Sequence, residues 1–173
     1  MKWLCALLAC VGISGCASLE VSHYQAAQPR LDLKNYFNGT LDAWGMFQDR
    51  SGAVVKRFHV VIEASWQGDV GTLDERFVYD DGSTQRRVWT LTKIADGSWQ
   101  GRADDVVGYA TGEVAGNALR WRYVMALPVD GKVYEVDFDD WMFLMDSKVM
   151  LNKSSMSKFG FHLGDVTLSF TKR

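Results

Sequence analysis

From Phe58 onward, large apolar side chains recur at every second residue: Phe58, Val60, Ile62, Ala64 and Trp66 alternate with His59, Val61, Glu63, Ser65 and Gln67. A period of two places one set on a single face of an extended strand, whereas a helix would scatter it around its axis. The same alternation returns in Leu119, Trp121, Tyr123, Met125 and Leu127, set against Ala118, Arg120, Arg122, Val124 and Ala126. Less regular strands fit Thr40 to Gln48, Thr72 to Tyr79, Gln85 to Ile94, Ser98 to Ala103, Tyr109 to Val114, Val133 to Met145, Val149 to Ser155 and Asp165 to Thr171, about ten in all.

Short turn signals separate these strands: Arg50-Ser51-Gly52, Gln67-Gly68-Asp69, Asp80-Asp81-Gly82, Asp96-Gly97, Ala115-Gly116-Asn117 and Asp130-Gly131. Asp, Asn and Gly tolerate the left-handed backbone of tight hairpins, so consecutive strands pair as an antiparallel meander. The two prolines, Pro29 and Pro128, leave the strand interiors free to donate ladder hydrogen bonds. A sheet of this many strands removes its exposed edges by closing. The expected fold is therefore all-β, an antiparallel up-and-down barrel, with a ten-stranded sandwich as its rival. Leu31 to Phe37 offers the one short helix. Within Val133 to Met145, Tyr134, Val136 and Phe138 share a face, and from Trp141 both faces turn apolar, which implies a bulge or a strand buried on both sides.

Of the 173 residues, 47 % are apolar and 23 % charged, with a formal net charge of −2, so the chain has enough apolar surface to fold. Without a Lys/Arg run it lacks the basic stripe that a nucleic-acid partner requires. The N-terminus is different in kind. Met1-Lys2 is followed by an uncharged apolar run from Leu4 to Ile13, too short for a membrane span and suited to a signal peptide. Ile13-Ser14-Gly15-Cys16 resembles the bacterial lipobox, which implies cleavage before Cys16 and acylation of that cysteine. The expected organisation is a signal peptide over residues 1–15, a lipidated flexible tether over 16–30 and one barrel domain over 31–173. Ala17, where enteric bacteria use Asp for inner-membrane retention, favours a periplasm-facing anchor in the outer membrane. With Cys5 and Cys10 removed and Cys16 lipidated, no disulfide and no cysteine nucleophile is expected.

Six ordered blocks carry a further likeness: Phe77-Val78-Tyr79-Asp80-Asp81-Gly82, Gln85-Arg86-Arg87-Val88-Trp89, residues 101–108, Gly116-Asn117-Ala118-Leu119-Arg120-Trp121-Arg122-Tyr123, Asp137-Phe138-Asp139-Asp140-Trp141-Met142 and Met156-Ser157-Lys158-Phe159-Gly160-Phe161. They resemble the proteobacterial lipoprotein family known as domain of unknown function 3833, over nearly all of Leu31 to Arg173. The resemblance implies a lipocalin-like barrel. It transfers no catalytic residue, because that family has no assigned activity.

The acidic pairs Asp80/Asp81, Asp104/Asp105 and Asp139/Asp140 lack an EF-hand spacing and are expected at turns or paired with Arg86, Arg87, Arg102, Arg120 and Arg122, so no metal site is assigned. By parity Arg120 and Arg122 point outward, while Arg87, in step with Trp89 and Leu91, can point inward. Trp66, Arg87, Trp89, Trp121 and Tyr123 are the candidate ligand-binding residues, with Arg87 either a cavity residue or half of an ion pair near a barrel end. No histidine pair has metal or base spacing, and no Gly-x-Ser-x-Gly elbow or Gly-x-Gly-x-x-Gly loop occurs; neither cofactor nor catalysis is expected. The expected function is an envelope-anchored barrel that binds an apolar ligand, a fatty acid or phospholipid acyl chain. The alternatives are a filled-core protein that engages an envelope partner and a barrel enzyme acting on a lipid-derived ligand.

Overall fold

The computed structural model describes residues 19–129 and 131–173. The expected signal peptide and Cys16 lie outside the described residues. Ten strands follow one another: β1 (Gly39–Asp49), β2 (Val54–Gln67), β3 (Val70–Tyr79), β4 (Thr84–Lys93), β5 (Trp99–Arg102), β6 (Val106–Ala115), β7 (Ala118–Val129), β8 (Lys132–Leu144), β9 (Val149–Lys158) and β10 (Phe161–Lys172). Each pairs antiparallel with its chain neighbours, and β1 closes on β10 from Leu41↔Lys172 to Asp49↔Gly164. The sheet is a closed barrel, not a sandwich, and β1 and β10 cover each other's edges.

The alternation seen in the sequence becomes inside and outside. Phe58, Val60, Ile62 and Ala64 of β2 are buried in the interior, as are Leu119, Trp121 and Met125 of β7. Arg120 and Arg122 point outward and pair with Asp139 and Glu113. The hairpins use the expected glycines. Gly116 is required twice over: its φ is +55°, and a Cβ there would run into the Tyr24 carbonyl oxygen.

One end of the barrel is plugged. The short helix α1 (Leu33–Tyr36) starts at Asp32, whose side chain accepts the Asn35 N–H at 3.1 Å. It buries Leu33, Tyr36 and, just beyond it, Phe37. Around that end the Tyr36 hydroxyl donates to the Lys148 carbonyl at 3.0 Å, Trp66 Nε1 to the Phe37 carbonyl at 2.5 Å, and Lys34 pairs with Asp69 at 3.2 Å.

Of the tether expected over 16–30, the described part, residues 19–30, lies along the barrel wall. A single 3-10 turn, Val21–Tyr24, buries Val21 against Ala115 and Ala118. The Tyr24 ring lies edge-on to Trp141 and Phe143, with centroids 5.8 and 5.0 Å away. Leu31 N–H donates to the Gly116 carbonyl at 2.8 Å, and Arg120 reaches the Leu19 carbonyl at 3.3 Å. This strap explains the two apolar faces of β8. Val136, Phe138 and Leu144 face the core while Trp141 and Phe143 face the strap, and the β7–β8 register runs from 118↔143 to 129↔132 without a shift. The strand is covered on both sides; it is not bulged.

Candidate functional site

The large interior side chains do not fill the barrel, because several lie flat against the wall. Phe58 stands opposite Gly45, Trp66 opposite Gly71, and Trp121 opposite Gly112 with Gly101 alongside. In each case a Cβ on the glycine would overlap the ring. A glycine across the strand gives an aromatic ring a flat seat, and the ring in turn covers the exposed backbone. The space spared is a cavity of about 1280 Å³, above the ~300–1,000 Å³ of ordinary small-molecule pockets. Leu33 and Phe37 of the plug form its floor, and residues of the opposite end, Val55, Pro128, Val129, Val133 and Leu163, form its mouth. A second, smaller hollow on the outer wall, near Trp44, His59 and Leu151, is open to solvent.

Among the candidate residues, Arg87, Trp89, Trp121 and Tyr123 line the cavity together. Trp89 meets Trp121 and Tyr123 edge-on, at 5.9 and 5.5 Å. Trp66 does not line it: its indole is spent on the plug through Phe37 and on Trp99, 5.6 Å away. Polar side chains that were not among the candidates also line it: Glu75, Asp105, Asp140, Asn152 and Ser154 deeper in, and Gln48, Asp49, Lys56, Gln85 and Asp104 toward the mouth.

The position of Arg87 follows from a short strand. β5 pairs with β4 only as far as Thr90↔Arg102, so the mouthward half of β4 faces the β5–β6 loop. Asp105 of that loop takes the guanidinium in a fork, at 2.8 Å from Nη2 and 2.9 Å from Nε, and Glu75, opposite Arg87 on β3, lies 3.8 Å from Nη1. Both expectations for Arg87 meet here: it is a cavity residue and it is ion-paired. Burial works against its charge, but Glu75 and Asp105 outweigh burial and raise its pKa. Burial also pushes Glu75 up to about 7, against the pull of Arg87.

The second polar group sits across β7, β8 and β9. Asp140, opposite Trp121 on β7 and Ser154 on β9, points into the barrel. Its Oδ2 accepts from the Tyr123 hydroxyl at 3.3 Å, while its Oδ1 and the Ser154 hydroxyl oxygen are buried without a hydrogen-bond partner. Burial pushes Asp140 up to about 7, and burial together with Asp140 raises Tyr123 well above its usual value, which keeps the phenol protonated. Two carboxyl groups close to neutrality beside a permanent cation can exchange protons and orient a polar ligand at ordinary pH. Of the other members of the acidic pairs, Asp104 also lines the cavity, while Asp80 pairs with Arg57, Asp81 with Lys56 and Asp139 with Arg120. Among the described residues, no cluster of three or more His, Cys, Asp or Glu is placed to hold a metal ion.

The chain matches the model of a family described as a protein of unknown function, DUF3833, over residues 10–172. No curated protein matches it. Among solved structures, the S-type phycobiliprotein lyase from Guillardia theta superposes with a TM-score of 0.58 over 83 % of this chain and 94 % of that one, at 8 % identity. Lobster apocrustacyanin A1 gives 0.45 over 92 % and 72 % at 14 % identity, and apocrustacyanin C2 gives 0.45 over 91 % and 71 % at 14 %. The lyase likeness shows a shared lipocalin-like fold and nothing finer.

Proposed function

The chain belongs to the DUF3833 family of proteins of unknown function, and we propose that its barrel holds an apolar, chain-bearing lipid ligand at the cell envelope, anchored through an acylated Cys16 in the outer membrane and facing the periplasm. The observation that carries this reading is the cavity: about 1280 Å³, walled mostly by apolar side chains, plugged below by α1 and open above. A protein that acts only through its outer surface has no need of such a space, since unfilled core volume costs stability. One solved neighbour with the same fold is a phycobiliprotein lyase, so this architecture also serves proteins that act on other molecules.

The rim supports delivery from a lipid surface. Three hairpins adjacent around the barrel, β1–β2, β9–β10 and β7–β8, carry Val55, Phe159, Phe161 and Val133, which are 63, 84, 72 and 68 % exposed. Phe159 holds a φ of +52°, a conformation that bulky side chains rarely adopt. Arg50, Lys132 and Lys158 stand on the same hairpins, with Asp49 beside the first of them. The other two mouth connections carry Asp80, Asp81, Asp104 and Asp105. Apolar tips among cations match an anionic lipid interface, where the tips enter the acyl boundary and the cations meet headgroups.

Native mass spectrometry of the protein extracted from membranes in mild detergent tests both parts. The expected spectrum shows a chain that begins at Cys16 with acyl mass added, together with a non-covalent lipid adduct. A chain that begins at Met1 without acylation overturns the anchor, and the absence of any adduct or of uptake of an added apolar chain overturns the ligand.

A further inference from the structure

The charges that line the cavity are unequal, and the imbalance bears on what the ligand carries. Its lining includes two cations, Lys56 and Arg87, and five acids, Asp49, Glu75, Asp104, Asp105 and Asp140. Both cations are already committed. Lys56 lies 3.3 Å from Asp81 and over the Tyr79 ring, and Arg87 is held by Asp105 and Glu75. Deeper in, Asp140 Oδ1 and the Ser154 hydroxyl are buried on facing positions of β8 and β9 with no partner from any other residue; the hydroxyl can turn its one proton to Asp140, which still leaves lone pairs on both groups open to a further donor. A carboxylate brought to this place meets acidic groups in a low dielectric and, among the described lining residues, no cation that is not already paired. An ammonium group, with three N–H donors and no acceptor, meets unused acceptors and an acidic surround.

We propose that the cavity selects a ligand whose apolar chain carries a hydrogen-bond-donating group without negative charge, best a protonated primary amine seated at Asp140 and Ser154, and that it rejects free carboxylates. The proposal rests on the reading that the barrel holds an apolar chain and narrows it. Selectivity should also depend on pH. Asp140 adjoins Tyr123 on β7 and Ser154 on β9 and feels the charges of Arg87 on β4 and Glu75 on β3 across the cavity, while its neighbour Asp139 points outward to Arg120. With Asp140 and Glu75 both pushed up by burial to about 7, raising the pH ionises both, and an alkylammonium with a pKa of about 10.4 stays charged.

The test is competition against the neutral apolar probe N-phenyl-1-naphthylamine by dodecylamine, 1-dodecanol and dodecanoate, at about pH 6 and about pH 8.5. At the higher pH dodecylamine should bind about tenfold more tightly than dodecanoate, with the alcohol between them. The gap should narrow at the lower pH. Asp140→Asn should bring the amine down to the alcohol, each ligand being read against that variant's own affinity for the probe, and Glu75→Gln should narrow the gap as an independent check. Dodecanoate binding as tightly as the amine, an amine no better than the alcohol, or a preference untouched by both variants overturns the proposal. If neither the probe nor any chain binds, the binding-barrel reading falls with it.

Discussion

Asp140 and Arg87 show how much of a site a single residue's sequence context can convey. Arg87 was legible as an inward candidate because it keeps step with Trp89 and Leu91 on one strand. Asp140 also keeps step, with Phe138 and Met142, yet it reads as half of an acidic pair, the usual mark of a solvated turn. Only the neighbouring strands reveal that its partner Asp139 turns outward to Arg120 while Asp140 is buried beside Tyr123. Burial of an acid has a thermodynamic sign. The folded value of Asp140, about 7, lies above its ordinary 3.8, so the stability attached to its neutral form is complete below about 3.8 and is lost as the pH rises to about 7. Glu75 acts in the same direction from 4.5 to about 7. Chemical denaturation as a function of pH should therefore show the native barrel losing stability from about pH 4 to about pH 7. Asp140→Asn should be more stable than the native chain by roughly 1–4 kcal/mol at about pH 8 and equal to it near pH 4. An advantage of Asp140→Asn over the native chain that does not grow over that interval contradicts a neutral buried Asp140.

At the scale of elements, strand positions and hairpins were legible because Asp, Asn and Gly mark the turns and the period of two marks the walls. The strap over residues 19–30 was not legible, since Val21 and Tyr24 show no period; its trace in the sequence is the second apolar face of β8, Trp141 and Phe143, which needs a cover. The seating of rings on glycines was hidden as well, because it depends on cross-strand register. That register makes a specific demand. Gly112→Val sets a side chain into the Trp121 ring from the opposing strand, and overpacking of this kind costs about 1–3 kcal/mol. Urea unfolding should show that loss, and because the displaced indole moves into the lumen, uptake of an apolar probe should fall as well. Gly131→Ala, on a hairpin with open space around its Cβ position, has no ring to displace and should leave probe uptake intact while carrying only the backbone cost of its φ of +75°.

For the molecule as a whole, closure could be argued from strand number and the absence of interior prolines, and the barrel is closed. Whether its inside is filled could not be argued in that way. Alternation tells which side chains point inward but not whether they meet at the axis, and here Phe58, Trp66 and Trp121 lie along the wall over Gly45, Gly71, Gly101 and Gly112. The plug closes one end of the resulting space and the apolar, partly basic rim surrounds the other. The central claim is that an alkyl chain occupies this space, beside Trp89 and Trp121. Titration of the protein with a dodecyl chain brominated along its length, followed by tryptophan emission, tests it directly. Saturable quenching that weakens in Trp89→Phe and Trp121→Phe is the predicted result; emission that stays constant, or that falls without saturating and equally in both variants, would contradict it.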